Sequence, residues 1–168
     1  MLYDITITQF VKGLNQLNTF FDKASLYAET KKFDVDVLLN ARLAPDQFPF
    51  IRQVQMACDT AKLGVSRLTA KDAPTHEDTE KTLDELKARV ASTVSYLEKF
   101  SEKDFAESST RHITTPRWDG QYLLGSEYVL NHVLPNFYFH ITTAYAILRA
   151  NGVDVGKKDY LGKMPFRK

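Results

Sequence analysis

Two histidines frame a proline in the segment NHVLPNFYFHITTAYAILRANG, residues 131–152, which otherwise reads as an apolar helix. Imidazole serves as a metal ligand, an acid–base group or a buried hydrogen-bonding group, and spacing discriminates among these roles. His132 and His140 stand eight residues apart. That is about 12 Å along a straight helix at about 1.5 Å per residue. Two nitrogens on one zinc, each about 2.0 Å from it, lie no more than about 4 Å apart. The two histidines therefore cannot chelate one ion unless Pro135 breaks the helix severely.

Groups three or four residues apart on a helix do meet. On this segment those pairs are Asn136 with His140, His132 with Asn136, and His140 with Thr143. The apolar stripe runs Leu130, Leu134, Phe137, Ile141, Ala144 (or Tyr145) and Leu148, and His140 lies at its border. An Asn/His/Thr row at the edge of a core is either a ligand site or a satisfied hydrogen-bond network. A second segment, FPFIRQVQMACDTAK, places Gln55 and Asp59 one turn apart beside the stripe Ile51, Val54 and Cys58. A carboxylate so near a core face needs a partner. The partner expected for Asp59 is His140, as a structural pair, an acid–base couple or the remnant of a metal site. His76 and His112 fall in loop or cap positions, where exposure is the default. Trp118 beside Arg117 reads as an aromatic anchor that packs a loop down, with a ligand or dimer contact as the alternative.

The elements that must position these residues are helical. Phe10, Leu14, Leu17, Phe21 and Ala24 recur at alternating spacings of four and three, predicting a first helix over 6–30, with Thr6 or Thr8 as its N-cap. A helical turn follows near Val35 to Ala41. Ile51, Val54, Cys58, Ala61, Val65 and Leu68 predict a second helix over 46–69, opening at Pro45 to Phe50. Leu83, Leu86, Val90, Val94 (or Ala91), Leu97 and Phe100 predict a third over 77–102, with Thr75 and Asp78 in a capping arrangement. RHITTPRWDGQYL changes texture, and its β-branched residues, proline and Asp-Gly pair fit a short hairpin and an irregular loop equally. The fourth helix is expected over 120–150, stopped by Asn151-Gly152, with a polar tail over 153–168 that Leu161 and Phe166 could dock. Four amphipathic helices bury their stripes most economically together, so the expected fold is all-α, an antiparallel four-helix bundle in a single domain, 1–168.

Composition removes several function classes. Of 168 residues, 22 are Lys or Arg and 21 are Asp or Glu, so the formal charge is +1 and exerts no net pull toward nucleic acid or an acidic membrane. The basic tail (Lys157, Lys158, Lys163, Arg167, Lys168) is too sparse to change that. No window is apolar enough to span a membrane, and MLYDITITQF lacks the pattern of a signal peptide. Cys58 is the single cysteine and sits on an apolar stripe, which fits a buried hydrophobe in a reducing, cytoplasmic setting. No phosphate-binding glycine loop, nucleophile elbow, CxxC or HExxH occurs.

LPNFYFHITTAYAILRANGVDVGKKDYLG, preceded by FPFIRQVQMACDTAK, resembles an uncharacterised domain-of-unknown-function branch of the DinB/YfiT-like superfamily, across nearly the whole chain. The resemblance implies a four-helix bundle, often homodimeric. It also implies a divalent metal on three histidines, one from the second helix and two in an HxxxH on the last. Some such proteins are thiol-dependent transferases or isomerases, and others are known only as damage-inducible. Carried onto this chain, the HxxxH falls on Asn136 and His140, and the second-helix position falls near Gln55 to Asp59. Two of the three imidazoles are absent, so His140 is the one metal ligand retained and the cofactor stays open. The expectation is a DinB-like protein of undetermined molecular function with a small polar pocket at Gln55, Asp59, Asn136, His140 and Thr143. The alternatives are a metal- or thiol-dependent transferase or isomerase, and a non-catalytic small-molecule-binding or stress-response protein.

Overall fold

The computed structural model describes residues 1–167; Lys168, the last cation of the basic tail, lies outside the described residues. Four long helical rods make a bundle: α1 (Gln9–Lys31), α2 (Phe50–Thr69), α3 (Leu83–Leu97) and α5 (Leu134–Ala150). Shorter elements are α4 (Gly125–Tyr128), α6 (Lys157–Leu161), and the strands β1 (His112–Ile113) and β2 (Leu123–Leu124). The strands pair antiparallel, His112 opposite Leu124 and Ile113 opposite Leu123, so the RHITTPRWDGQYL excursion is a small hairpin.

Side-chain partners give the direction of each helix. Along α2, Gln53 meets His140, Thr60 meets Asn136 and Arg67 meets Tyr128, so α2 and α5 run antiparallel. Phe21 packs on Phe50 while Gly64 lies beside Phe10, which makes α1 antiparallel to α2 as well. Arg89 reaches Asp59, Gln55 reaches Glu80 and Lys71 reaches Asp104, so α3 runs alongside α2 in the same direction. The order is up-down-down-up. A parallel α2–α3 neighbour requires the connection to travel back the length of α2, and residues 70–82 do so without helix.

That return path explains the largest departure from the expected boundaries. The third helix, expected from residue 77, begins at Leu83 because Thr82 and Glu85 form a reciprocal capping box there. Asp78 does not cap with Thr75; it is ion-paired to Arg52 and Arg89. Thr6 and Thr8 do not cap α1 either. The helix is already under way as a wide π turn at Asp4–Thr8, and the Thr6 hydroxyl donates back to the Leu2 carbonyl. α2 starts at Phe50, with Pro49 at its extended N-cap position.

The fourth rod is interrupted where Pro135 dictates. Proline cannot donate to the carbonyl four residues earlier, so the preceding turn widens into a π turn at Val129–Val133, closed by Leu134 N–H on the Val129 carbonyl. The extra residue shifts the buried stripe upstream of Phe137 onto Val133 and Val129. Leu130, expected in the core, is 61% exposed for that reason. Gly125 opens α4 where a Cβ would collide with the Ser108 backbone. The remaining expected stripe positions Phe10, Leu14, Leu17, Phe21, Val54, Cys58, Ala61, Val65, Leu86, Val90, Phe137, Ile141 and Leu148 lie in one contiguous core. The tail docks through Val153 and Val155, both fully buried, while Leu161 is 41% and Phe166 88% exposed.

Candidate functional site

The α2–α5 seam carries two polar rungs. His140, 6% exposed, is hydrogen-bonded through Nδ1 to Gln53 Oε1 at 2.8 Å. Gln53 Nε2 donates to the Phe48 carbonyl at 2.9 Å, which commits its oxygen to His140, so His140 carries its proton on Nδ1. Burial, aided by the charge of Arg52, lowers the His140 pKa to about 4, and the ring is neutral at physiological pH. One turn back, Asn136 Nδ2 donates to Thr60 Oγ1 at 2.8 Å. Asn136 and His140 thus each bond across to α2 rather than to one another. Thr143 is buried further along α5.

The expected partnership of His140 with Asp59 is corrected here. Asp59 lies two turns from Gln53 toward the other flank of α2, where Oδ1 accepts from Arg89 Nη2 at 2.8 Å and pairs with Lys62 at 3.0 Å. Arg89 also holds Asp78 at 3.0 Å and Glu80 at 2.9 Å, with its side chain only 1% exposed. Gln55 links the same cluster, donating to Glu80 Oε2 at 2.8 Å and accepting from Arg52 at 3.1 Å. Burial alone would raise the Asp78 and Glu80 carboxyls; Arg52 and Arg89 at Asp78, and Arg89 with a backbone N–H and Gln55 at Glu80, outweigh it and hold both below the usual range. This network staples the returning 77–80 segment onto α2 and α3, so Gln55 belongs to architecture. Cys58, fully buried beneath it, has its thiol pushed up to about 12 by burial.

A cleft of about 410 Å³ opens between α2, the π turn of the fourth rod and the hairpin. Asp59, Thr60 and Asn136 line it, together with Arg52, Arg67, Arg117, Trp118, Tyr128 and His132. Tyr128 and His132 stack with centroids 5.3 Å apart, and Trp118 stands edge-on to His132 at 5.2 Å and to Tyr128 at 6.0 Å. Arg67 Nη1 donates to the Tyr128 hydroxyl at 3.1 Å. His132 Nδ1 is shielded from solvent with no hydrogen-bond partner among the described residues. Burial, then the charge of Arg67, lowers the His132 pKa, so this ring is also neutral at physiological pH.

The cleft unites sequence candidates with residues read otherwise. Asp59 and Asn136 are site candidates from sequence, and the four-residue spacing pairs His132 with Asn136; Arg67, Tyr128 and the Arg117–Trp118 pair join them only in the fold. The His132–Asn136 spacing and the adjacency of Arg117 to Trp118 are the two sequence signals that point to this cleft. His112 stacks on Tyr122 at 4.0 Å in the hairpin, and His76 bonds Ser92 Oγ at 3.0 Å.

The chain matches the family model described as Domain of unknown function (DUF1993) over residues 2–161. It belongs to the DUF1993 family. This DUF1993 chain is also similar to the crystal structure of a DinB family member protein from Shewanella denitrificans, at 62% identity and a TM-score of 0.97, covering 100% of this chain and 96% of that one. No curated protein matches it.

The DinB resemblance implies three imidazoles around a divalent metal, and the residues present do not fit that set. Asn136 and His140 occupy the last helix; Gln53 and Thr60 face them from α2, with Met56 on the same face between. An amide, a hydroxyl and one imidazole make a poor donor set for a borderline transition metal. Among the described residues, no group of three or more His, Cys, Asp and Glu side chains is arranged to hold a metal ion.

Proposed function

We propose that this DinB-like chain is a small-molecule-binding protein whose site is the cleft between α2, the fourth rod and the hairpin. One observation carries the reading: a recess of about 410 Å³ is walled by residues from separate elements that converge on it with polar, cationic and aromatic groups. Asn136 and Thr60 form one wall, and His140 with Gln53 stiffens the helix pair directly behind it. The transferase alternative is less well supported, because the metal donors do not fit and the Cys58 thiol is buried and protonated at neutral pH.

Differential scanning of tag-free protein against small metabolites and low-molecular-weight thiols tests the proposal. A ligand that binds the native state raises the melting temperature in a concentration-dependent way. That rise is expected in the wild type and not in Trp118→Ala, which opens the aromatic wall. A screen in which no compound shifts the transition, or a hit indifferent to Trp118→Ala, overturns the reading.

The proposal extends to a cytoplasmic homodimer. The lone reduced Cys58 is consistent with a reducing compartment, and no helix is long and apolar enough to cross a membrane. Phe139 and Leu130 on the fourth rod and Leu63 on α2 are exposed apolar side chains that suit a second copy. Light scattering during size exclusion should return twice the chain mass, and Phe139→Glu should halve it; a monomer in both cases removes the dimer.

A further inference from the structure

The ligand class is legible in how the cleft's charges are compensated. Three arginines and one carboxylate line it. Asp59 is already neutralised by Arg89 and Lys62, and Arg52 is committed to Asp78 and Gln55. Arg67 spends one Nη1 donor on Tyr128, a neutral phenol, and keeps the rest of its fork. Arg117 follows Pro116 in the hairpin's 3-10 turn, is exposed, and makes no ion pair among the described residues. Two arginines thus line one recess with no carboxylate paired to them among the described residues. A guanidinium fork matches the planar oxygens of a carboxylate or the edge of a phosphate, and binds either through paired charge-assisted hydrogen bonds.

The opposite requirement comes from the wall. Trp118 and His132, both half-buried, form an aromatic corner backed by the fully buried Tyr128, and Pro116 belongs to the same lining. A hydrated inorganic ion gains nothing from such a surface, whereas a flat ring gains apolar and stacking contacts. We infer that the cleft takes a planar aromatic anion: a ring against the Trp118–His132 corner, with its carboxylate or phosphate between Arg67 and Arg117. This rests on the binding reading above and names the ligand for that site.

Calorimetric titration with matched probes tests it. The probes are 1-naphthoate, 1-naphthyl phosphate, uncharged 1-naphthamide, and inorganic phosphate alone. Both aromatic anions are expected to bind at least about tenfold more tightly than the amide, the increment of one charge-assisted hydrogen bond. The naphthoate and naphthyl phosphate arms separate the two acid groups, and a preference for either supports the inference. Arg117→Met, an exposed loop substitution that leaves folding intact, should erase most of that advantage, and raising salt should shrink it in the wild type. Equal affinity for amide and anions leaves the binding reading standing and overturns the charge assignment. Inorganic phosphate binding as tightly as naphthyl phosphate overturns the aromatic half. No binding by any probe, with the screen above also blank, overturns the inference and the binding reading together.

Discussion

Arginine is used in two opposite ways on the two flanks of α2. On the α3 side, Arg89 is enclosed, and Asp59, Asp78 and Glu80 all lie within 3.0 Å of its guanidinium nitrogens. On the fourth-rod side, Arg67 and Arg117 line a recess with no carboxylate partner among the described residues. A buried charge survives only when it is compensated, so the first arrangement is obligatory architecture. Arg67 serves the fold only through its bond to the buried Tyr128 hydroxyl, and under the binding proposal the rest of its fork, with Arg117, is directed to a ligand. The same residue type is therefore enclosed by carboxylates on one flank and left without them on the other.

The comparison breaks most visibly at Arg89. Arg89→Met leaves three carboxylates around an apolar side chain, and should lower unfolding free energy by about 3–5 kcal/mol, read from urea midpoints. A loss below about 1 kcal/mol would put Arg89 in the same class as a surface cation. Acid should act on the seam next. His140 is neutral when folded, with its pKa lowered to about 4, so an unfolded chain with the ordinary histidine value takes up the proton first. Stability is then complete above about pH 6.5 and falls as pH drops from there toward 4, by at most about 3 kcal/mol. His140→Asn should flatten most of that slope, while His76 and His132, lowered in the same direction, leave a residue of it. An unchanged slope in the variant would remove His140 as its source.

Smaller effects sharpen the contrast. Gln53→Leu strands the His140 Nδ1–H against an apolar chain and should cost about 1–3 kcal/mol. Arg117→Met should change stability by no more than about 0.5 kcal/mol, since the side chain is exposed and makes no ion pair among the described residues. A thiol reagent should leave native Cys58 unmodified and react only after denaturant is added, because the group is fully buried and protonated.

Much of the bundle was legible in period alone. The stripes of α1, α2 and α3 identify their core faces because each helix presents one apolar side. What periodicity does not carry is direction. The parallel run of α3 beside α2 depends on Arg89 and Arg52 capturing Asp78 and Glu80, contacts between residues 9 to 26 positions apart. That capture also explains why residues 77–82 are not helical despite their acidic, helix-opening character. Leu130 was misplaced for a local reason: Pro135 inserts a π turn, and a straight-helix projection fails by one residue beyond it. Within the site, Asn136 and His140 stood out because polar residues beside an apolar stripe demand partners. Their partners Thr60 and Gln53 did not, because a Thr or Gln in a helix carries no pattern. The cleft itself is assembled from α2, the π turn and the hairpin, and only the folded chain brings Arg67 to Arg117.

The most direct test of the distinction drawn between the two flanks is titration of 1-naphthoate into wild type and Arg117→Met, both first shown to unfold at the same denaturant midpoint. The account predicts saturable wild-type binding that weakens about tenfold or more in the variant with folding untouched. Equal affinity in the two proteins would contradict it, and Arg117 would then be only a solvated loop cation.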